Sequence, residues 1–523
     1  MKWKILPRRS EDLAEQLLIN RGIINKKDIE NFFNPEVFDF KKDIEIPGIE
    51  KAQKRILEAV KKGEMIIVFG DYDVDGICGS AILYKALTSI GAKVLPYIPH
   101  REKEGYGLSN LGLEFARDSD ASVVITVDNG ITAIKQAKFA KELGLDLIIT
   151  DHHIPLKEKP DAYGIVHSTN MCGAGVAWCL IQSIVPKNLK EELLQFVGVA
   201  TVCDLIPLTD LGRAFLVEGL RQLRKTTNLG FLSLVNECVI NLADVGSYEI
   251  GHIIGPRINA MGRLEHAIDS LRLLCTKDIG KAKKLAKLLC ETNAQRQQMT
   301  TQAIEEAKTL VVVGNKIHVL HSENWSAGII GLIAGKVTEE YFRPSIAISV
   351  GKEISKGSAR SIDGINVIEL IRKHIDILID VGGHPGAAGF SIRTDNIEIF
   401  KKRLEKEVIE TPQEKILEID AEVDSKKLTQ GLVHELVRFE PFGFGNPKPV
   451  LATYKMVLSD IRTVGVGKHL KFKADGMDAI AFGMGELETS LRSGQQVAIA
   501  YNLELDSYNG FEKLQLKVKD IKI

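Results

Sequence analysis

Three aspartates spaced two residues apart are the side chains of this 523-residue chain most suited to bind a cation. Asp71, Asp73 and Asp75 lie in the stretch GDYDVDG and are followed by Gly76. Their alternation matches the first half of a calcium-binding loop, in which alternate oxygens surround one ion and the glycine makes the sharp turn. The two other interpretations are carboxylates for catalysis and an acidic turn without a ligand.

The rest of the calcium-loop pattern is absent from the sequence. That loop needs a bidentate glutamate at its twelfth position and a helix on each side, but the twelfth residue counted from Asp71 is Ile82. The preceding residues 65–69, MIIVF, are a short apolar run rich in β-branched residues, which predicts a buried strand. The pattern therefore argues against a structural calcium site.

Acidic or histidine residues also follow the next two predicted strands. SVVITVD ends at Asp128, and LDLIIT is followed by Asp151, His152 and His153. Because the carboxyl ends of neighbouring parallel strands share one edge of a sheet, we expect these side chains to lie near the first three aspartates. Any one of these strand ends could be a solvated turn, but three in succession favour a common site.

Such a convergence of carboxylates argues for bound metal ions, because the negative charges repel one another unless cations neutralise them. Mostly carboxylate ligands with an imidazole and no thiolate suit Mn²⁺ or Mg²⁺ better than structural Zn²⁺. Five or more possible ligands are enough for two ions, the arrangement that activates water and holds a phosphoryl group. Asp204, in the apolar stretch VGVATVCDLIPL, is a further candidate ligand, because a buried lone carboxylate is costly unless it is paired. Its alternative role is a helix cap or turn.

Short strands that alternate with helices position these residues. Strands are predicted at residues 65–69, 122–128 and 145–150, and helices at 81–90 and 133–143. This alternation indicates βαβ units and a parallel sheet. The fold class is therefore α/β in this part of the chain.

Other patterns divide the rest of the chain. Residues 268–312 have apolar residues at helical spacing without proline, which predicts a long helix. Strands at 317–321 and 344–350, with a glycine-rich turn at 382–389, indicate a second α/β domain, and short alternating runs after residue 412 suggest an OB-type β-barrel. The predicted parts are an N-terminal cap (1–48) leading into a helix at 49–62, a catalytic α/β domain (49–267), a connecting helix region (268–312), a second α/β domain (313–411) and a C-terminal barrel domain (412–523).

The composition is that of an ordinary globular protein, with 45% apolar and 26% charged residues. The formal net charge of -1 means that any polyanion must be held by local patches. There is neither an apolar run of 18 residues nor an N-terminal apolar core of signal-peptide length, so we expect a cytoplasmic protein without membrane contact. The seven scattered cysteines, which include no CxxC pair, are expected to be reduced and mostly buried.

The motifs of this chain resemble those of the DHH phosphoesterase superfamily and, within it, the bacterial RecJ single-stranded-DNA exonucleases. The matching segments extend in order over nearly the whole chain. They are GDYDVDG (70–76), EGYGLS (104–109), VDNGI (127–131), DHH (151–153), CGAGVA (172–177), ATVCDLIPL (200–208), GPRINAMGRL (255–264), KGSARS (356–361), GGHPGAAGF (382–390) and EPFGFGNPKP (440–449).

The resemblance implies a DHH domain and a DHHA1 domain joined by a long helix, with a C-terminal OB-like domain. It also implies stepwise 5'-to-3' hydrolysis of single-stranded DNA to 5'-mononucleotides, dependent on Mn²⁺ or Mg²⁺, in DNA repair and recombination. We expect a monomer that acts with a helicase and a single-strand-binding protein.

The resemblance also implies roles for the acidic residues. It implies a first metal held by Asp73 and Asp128, with Asp71 as a ligand or close neighbour. It implies a second metal held by Asp75, Asp128, His152 and Asp204. Asp151 would orient an imidazole, and His153 would lie at the scissile phosphate or the leaving oxygen. Small relatives carry a histidine at the position of Phe69, so the full ligand set of the first metal stays open.

Basic and glycine-rich motifs are the candidates for binding the strand. The resemblance implies that the pocket for the 5'-terminal phosphate is formed by Arg101, Arg257, Ser358 and Arg360. It also implies that Asn259 and His384 lie near the reacting nucleotide. Composition alone favours tight turns for the second-half motifs. In the barrel, the resemblance predicts that Lys468, His469, Lys471 and Lys473 follow the strand with stacking aromatics such as Phe472, and the alternative is a solvated basic face.

Two other functions are compatible with parts of this pattern. A phosphatase or oligonucleotidase for small substrates would explain the metal site but not the C-terminal β domain. A non-catalytic scaffold is disfavoured because the candidate ligands are all present. The sequence leaves open the pathway, the choice between Mn²⁺ and Mg²⁺, activity on RNA and the partner proteins.

Overall fold

The computed structural model describes residues 1–101, 103–408, 414–506 and 512–523. The chain forms two compact units. One contains Lys42–Asp204 and Gly219–Glu414, and the other contains Met1–Lys41, Leu205–Glu218 and Lys415–Ile523. Among the described residues, the helices include none that combines the length and the apolar character needed to cross a membrane.

The chain begins with one strand and four helices. They are β1 (Lys2–Ile5), α1 (Leu13–Asn20), α2 (Lys26–Phe33), α3 (Lys41–Ile44) and α4 (Ile49–Lys62). Helix α4 covers the predicted residues 49–62. It starts after Gly48 and stops at Gly63, and both glycines have the left-handed backbone conformation that glycine adopts readily.

A five-stranded parallel sheet forms the base of the candidate site. Its elements are β2 (Met65–Phe69), α5 (Val74–Ser89), β3 (Lys93–Tyr97), α6 (Asn110–Asp118), β4 (Ala121–Val127), α7 (Ile134–Glu142), β5 (Asp146–Asp151) and β6 (Gly164–His167). The strand order is β3-β2-β4-β5-β6, and all neighbours are parallel. The three predicted strands are therefore adjacent, so their carboxyl ends share one sheet edge, as expected. Asp71 is preceded by strand β2 and followed by helix α5, which begins at Val74. The helix–loop–helix that a calcium loop requires is therefore not formed here.

A helical region follows the sheet. It contains α8 (Gly173–Ile181), α9 (Lys187–Cys203), α10 (Asp210–Leu223), α11 (Leu229–Glu237), α12 (Ser247–Glu249), a π-helical turn (Ile250–Ile254), α13 (Gly255–Leu264), α14 (Ile268–Cys275) and α15 (Ile279–Leu310). The predicted long helix is α15, which has 32 residues and begins where Asp278 caps the backbone N–H of Lys281. Helices α11, α13 and α14 pack against it.

The second α/β region is a five-stranded mixed sheet with three helices. It contains β7 (His318–Ser322), α16 (Ile330–Tyr341), β8 (Ser345–Ser349), β9 (Ile354–Arg360), α17 (Val367–Arg372), β10 (Leu378–His384), β11 (Ala387–Arg393) and α18 (Ile397–Glu407), with strand order β10-β11-β9-β8-β7. The prediction of a turn over residues 382–389 was wrong in extent. Most of this glycine-rich stretch is the paired ends of β10 and β11, and only two residues connect them. The small glycines are compatible with close strand pairing, which composition did not distinguish from a turn.

The C-terminal region is a closed barrel. The elements of this region are β12 (Ile416–Ile419), β13 (Ala421–Glu422), α19 (Gln430–Val437), β14 (Leu451–Val464), β15 (His469–Ala474), β16 (Met477–Ala481), β17 (Gln496–Asp506) and β18 (Lys513–Lys522), and the barrel is formed by β14 to β18. The pairings run β14-β15-β16-β18-β17, and β17 pairs again with β14. This closure confirms the predicted OB-like barrel. The stacking role predicted for Phe472 is wrong, because its side chain is 1% exposed in the barrel core.

The N-terminal segment packs with this barrel. Strand β1 pairs in parallel with β12, and Leu17, Leu18 and Phe32 share a hydrophobic core with barrel residues. The predicted cap thus includes elements that complete the unit of the C-terminal barrel. The predicted domain boundaries themselves stay predictions.

Candidate metal centre and phosphate-binding residues

Two of the three alternating aspartates are positioned where β2 passes into α5. Asp73 is the N-cap of α5, and its Oδ1 accepts a hydrogen bond from the Gly76 N–H at 3.0 Å. Asp71 is buried beside this turn. A Cβ at Gly76 would lie 2.6 Å from Asp71 N, so only glycine allows the turn to pass so closely. The glycine that suggested a calcium loop therefore serves the packing of a strand–helix turn.

The third aspartate, Asp75, is held by the N-terminus of another helix. Its two carboxylate oxygens accept hydrogen bonds from the first two backbone N–H groups of α8, those of Gly173 at 2.6 Å and Ala174 at 2.7 Å. A helix N-terminus favours negative charge, because its free N–H groups and its dipole both face the anion. The CGAGVA motif therefore fixes a carboxylate that is distant in sequence.

Asp128 follows β4 in a strained backbone conformation. Its φ is 62°, in the left-handed region, while its N–H still donates to Thr150 O at 3.0 Å. A Cβ at Gly173 would lie 2.6 Å from the Asp128 Cβ. Strain of this kind is found where a side chain must be aimed in a particular direction, and the glycine leaves the space in which the Asp128 side chain lies.

Asp151 organises the DHH segment. Its Oδ1 accepts bonds from the N–H groups of His152 (2.7 Å) and His153 (3.2 Å) and lies 2.8 Å from His153 Nδ1, and its Oδ2 accepts from Ile131 N–H at 2.9 Å. Burial acts to raise the pKa of Asp151, but the bond from His153 and these backbone bonds lower it overall. Asp151 is thus an ionised anchor whose imidazole partner is His153.

The remaining imidazole, His152, lies among three carboxylates. Its Nε2 is 3.1 Å from Asp128 Oδ1, 3.5 Å from Asp204 Oδ2 and 3.7 Å from Asp75 Oδ2. Possible ligand atoms lie within 4.8 Å of one another in three overlapping sets, which are Asp71, Asp73 and Asp128; Asp75, His152 and Asp204; and Asp128, His152 and His153. The structure therefore brings together all the residues predicted as metal ligands.

Three buried polar atoms of this cluster test whether it fits a cation. Asp71 Oδ1, Asp128 Oδ1 and His152 Nε2 make no hydrogen bond within the described parts of the chain. Buried polar atoms without partners are costly, so they indicate a ligand. The donor set of carboxylate oxygens and one imidazole suits Mn²⁺ or Mg²⁺, and the cluster therefore fits such ions.

The protonation states agree with this interpretation. Burial, and then the neighbouring carboxylates, raise the pKa of Asp71 and Asp128 well above the usual value and that of Asp204 to about 9. Burial also lowers the pKa of His152, which favours the neutral imidazole that a metal requires. The cluster thus needs positive charge to keep its carboxylates ionised at neutral pH.

Tyr106 is a site residue that the sequence reasoning missed. Its hydroxyl lies 3.0 Å from His153 Nε2 and 3.1 Å from Asp128 O, to which it can donate. It therefore contacts the second DHH histidine and the backbone of Asp128. The signal available in the sequence was its position within the EGYGLS motif. It was missed because the motif alone assigns no chemical role to the tyrosine.

A group of arginines lies in the same unit as this cluster. Burial, and then the charges of Arg101, Arg296 and Arg360, lower the pKa of Arg263 to about 10, while Asp73 opposes this. Burial and then Arg101 also lower the pKa of Arg360, whose Nη1 donates to Ser358 Oγ at 3.1 Å. Guanidinium groups that repel one another in a partly buried place favour a bound anion. The sequence prediction did not include Arg263. Its position near the end of the GPRINAMGRL motif was the only indication of it in that prediction.

The other predicted substrate residues have different surroundings. Arg257 donates to Cys290 Sγ at 3.3 Å and to Ile253 O at 2.8 Å, so its described partners are helix groups. Asn259 Oδ1 accepts from Val74 N–H at 3.1 Å, at the start of α5. His384 is exposed at the end of β10. Asn259 thus contacts the turn that carries Asp73 and Asp75, while the phosphate roles of Arg257 and His384 stay predictions.

Family models match three parts of the chain. The model of the DHH family, N-terminal domain, matches residues 65–201, the DHHA1 domain matches 313–410, and the RecJ OB domain matches 419–520. Together they confirm the family resemblance stated from the motifs.

Full-length relatives agree with these matches. The single-stranded-DNA-specific exonuclease RecJ of Bacillus subtilis (strain 168) is 33% identical over 98% of this chain and 68% of its own length. The protein of the same name from Haemophilus influenzae is 30% identical over 98% of this chain and 96% of its own length. The crystal structure of RecJ in complex with Mn²⁺ from Thermus thermophilus has a TM-score of 0.88 to this structure at 28% identity, covering 100% of this chain and 79% of that one.

Proposed function

The chain belongs to the RecJ family of single-stranded-DNA-specific exonucleases, and from this premise we propose that it removes nucleotides stepwise from the 5' end of single-stranded DNA. The products are 5'-mononucleotides, and the cofactor is Mn²⁺ or Mg²⁺. The observation that carries the proposal is the set of unpartnered buried atoms on Asp71, Asp128 and His152 within the acidic cluster.

The residues proposed to hold two ions fall into two sets with Asp128 in common. One set is Asp71, Asp73 and Asp128, and the other is Asp75, Asp128, His152 and Asp204. Bound there, two divalent ions supply positive charge that activates water and stabilises the charge developing on the phosphate. Asp75 is fixed by α8, and Asp128 by its strained backbone and Gly173, so the protein presents these ligands in a preorganised arrangement.

His153 is proposed to act at the leaving oxygen. Asp151 Oδ1 accepts from its Nδ1, which leaves Nε2 facing the Tyr106 hydroxyl. In a 5'-to-3' cleavage that releases a 5'-mononucleotide, the bond that breaks joins phosphorus to the 3' oxygen of the terminal nucleotide. An imidazole held by a carboxylate is suited to give that oxygen a proton.

The arginine group is proposed to set the polarity. Arg101, Arg257, Ser358 and Arg360 would bind the 5'-terminal phosphate. Each cleavage leaves a phosphate on the new 5' end, so every product strand again carries the group that this pocket recognises. Holding that phosphate positions the next bond for reaction, and such positioning contributes several kcal/mol to lowering a barrier.

The cellular setting follows from the substrate. Because duplex DNA must be separated before a single-strand enzyme can act, we propose that a helicase supplies the strand and that a single-strand-binding protein accompanies it. A role in DNA repair and recombination, a cytoplasmic location and a monomeric state belong to the same proposal.

The proposal is tested with 5'- and 3'-labelled single strands in Mn²⁺, compared with duplex DNA and short RNA. We expect 5'-mononucleotides to appear first from the 5' label, with duplex DNA resistant. Preferential hydrolysis of dinucleotides or small phosphate esters over long strands would support the phosphatase alternative, and no hydrolysis in either Mn²⁺ or Mg²⁺ would support a scaffold.

A further inference from the structure

Two exposed aromatic rings are stacked on each other just before helix α13. Tyr248 lies on α12 and His252 in the π-helical turn that follows, and their ring centroids are 4.5 Å apart at an interplanar angle of 17°. His252 Nδ1 lies 3.2 Å from Tyr248 O, to which it can donate, and this bond holds the imidazole in place. Tyr248 is 63% exposed, and His252 is also exposed. Because the imidazole covers one face of the phenol ring, Tyr248 presents its other face to solvent.

The backbone that carries this ring pair is held by contacts on both sides. Glu249 Oε2 accepts a hydrogen bond from Gly246 N–H at 2.9 Å. Ile250–Ile254 then forms a π-helical turn, a rare conformation that is frequent at functional sites. A Cβ at Gly251 would lie 3.4 Å from Val202 Cγ1, so this turn packs closely on α9. The two rings are therefore displayed on a fixed support.

Helix α13, which continues from this turn, lies along the metal cluster. Near its start, a Cβ at Gly255 would clash with Cys203 Sγ, and Cys203 precedes the proposed ligand Asp204. Near its end, a Cβ at Gly262 would lie 2.5 Å from Tyr72 O, in the turn of alternating aspartates. These two contacts are about 10 Å apart along the axis, given the rise of an α-helix. The helix is thus one wall of the cluster, and the ring pair lies beyond the Asp204 end of that wall.

Two of the proposed 5'-phosphate residues, Arg101 and Arg360, lie towards the other end of α13. The Arg101 guanidinium is 5.0 Å from the centroid of the Tyr72 ring. Arg263 Nη1 donates to Gly328 O at 2.9 Å, just before α16, which packs on the strand β9 that carries Arg360. A strand with its 5' phosphate at this end and its first internucleotide bond at the acidic cluster would therefore extend towards the ring pair.

We propose that the ring pair of Tyr248 and His252 is a stacking site for a nucleobase on the 3' side of the bond that is cleaved, a placement that rests on the proposed function. Every base has a flat π-face, so an exposed ring binds single strands without selecting their sequence. The bases of a duplex already stack on their neighbours, so the ring pair favours single strands. His252 supports the inner face of the Tyr248 ring and fixes the orientation that a base contacts.

The first test measures binding of the full chain to a 5'-phosphorylated strand of thymidines by fluorescence anisotropy in a chelator, where metal-dependent hydrolysis is stopped. Tyr248→Ala should bind about tenfold more weakly than the wild type with an unchanged Tm, because one stack of a base on an aromatic ring has about that effect. Tyr248→Trp should bind at least as tightly as the wild type. His252→Ala should have a smaller effect than Tyr248→Ala, because the tyrosine remains.

The matched control is Tyr163→Ala. Tyr163 is half-buried, and its ring faces Lys51 Nζ at 4.8 Å on α4 rather than α13. This variant should bind the strand as the wild type does. Equal affinities of Tyr248→Ala and the wild type would overturn the stacking site.

The second test uses strands that carry one abasic residue at each position in turn. The affinity of the wild type should fall at a position on the 3' side of the first internucleotide bond, and Tyr248→Ala should be insensitive at that same position. If the variant instead lost its sensitivity only at the 5'-terminal nucleotide, the placement would be wrong.

These binding measurements need no hydrolysis, so they separate the stacking site from the proposed function. If the wild type binds strands, responds to Tyr248→Ala and yet cleaves nothing in Mn²⁺ or Mg²⁺, the proposed function fails and the stacking site stands. If Tyr248→Ala binds and cleaves strands as the wild type does, the stacking site fails and the proposed function stands.

Discussion

His152 Nε2 lies 3.1 Å from Asp128 Oδ1, yet neither atom makes a hydrogen bond within the described residues. A protonated imidazole would form an ion pair at this distance, but burial lowers the pKa of His152. Two acceptor atoms so close to each other are stable when a cation lies between or beside them. This pair is therefore the clearest local sign that the carboxylates of the cluster serve metal binding.

The Asp128→Asn variant should lose at least about a hundredfold in Mn²⁺-dependent nuclease activity, because one shared ligand oxygen is replaced by an amide that binds divalent ions poorly. Asparagine tolerates the left-handed backbone at this position better than alanine, so the fold should survive. The measurements are nuclease rates and calorimetric Mn²⁺ binding.

The matched control is Asp161→Asn, which removes an exposed carboxylate paired with Lys141. Its activity and Mn²⁺ binding should equal those of the wild type. Full activity of Asp128→Asn would contradict the assignment of the metal centre.

Protonation of the cluster should make the metal-free protein more stable at pH 6 than at pH 8.5. The folded-state pKa of Asp204, about 9, lies above its unfolded value near 3.8, so the stability contributed by its proton is present at low pH and is lost as the pH rises towards 9. Asp71 and Asp128 shift in the same direction. Thermal unfolding in a chelator measures the effect, and Asp204→Asn should make the dependence on pH weaker.

Mn²⁺ should reverse this trend, because the ion competes with the protons for the same oxygens. At a free concentration a hundredfold above its Kd, it should stabilise the fold by about 2.7 kcal/mol. The gain in Tm should be larger at pH 8.5 than at pH 6. A Tm that does not respond to Mn²⁺ at either pH would count against binding at this cluster.

Replacing Gly173 should disturb the site through packing alone. A Cβ there would lie 2.6 Å from the Asp128 Cβ, so Gly173→Ala must displace a proposed ligand, and we expect a loss of about tenfold or more in activity. Gly175→Ala is the control on the same helix, because the nearest atoms to its Cβ would be those of the Met171 side chain at 3.2 Å, and Met171 is not a proposed ligand. Equal activities of the two variants would show that Asp128 tolerates this displacement.

Asp151→Asn should lower activity about 10- to 100-fold without removing a proposed ligand. The amide can still accept from backbone N–H groups, but it removes the charge opposite His153 Nδ1. Burial lowers the pKa of His153, but Asp151 raises it overall, and His153 must be protonated to act as the acid. The variant should therefore shift the alkaline limb of the activity–pH profile to lower pH. An unchanged profile together with reduced activity would indicate a purely structural role.

The elements that follow from local patterns were the predictable part of this molecule. The apolar strands before Asp71, Asp128 and His152 and the helix over residues 49–62 follow from periodicity, and adjacent parallel strands then place the acids on one edge. Asp204 was predictable because a lone carboxylate in an apolar run needs a partner.

Contacts between distant segments were not predictable in the same way. Strand β1 pairs with β12, and Lys4 and Glu418 of these strands are 414 residues apart. Tyr106 and Arg263 acquire their neighbours only through the tertiary fold. The stacking role of Phe472 conflicted with strand alternation itself, because Lys471 and Lys473 occupy one face of β15 and Phe472 the other.

The barrel offers a different aromatic residue for contact with the strand. Phe482 is 51% exposed, its ring lies 5.2 Å from that of His469, and Lys517 Nζ is 5.8 Å from its centroid. Because an exposed ring beside basic groups can stack on a base, Phe482→Ala should weaken single-stranded-DNA binding by about 1–3 kcal/mol with little change in Tm. Phe472→Ala is the contrasting variant, since loss of a core ring should cost about 3–5 kcal/mol of stability. Binding by fluorescence anisotropy and thermal unfolding together distinguish the two, and unchanged DNA affinity of Phe482→Ala would exclude this ring from the binding surface.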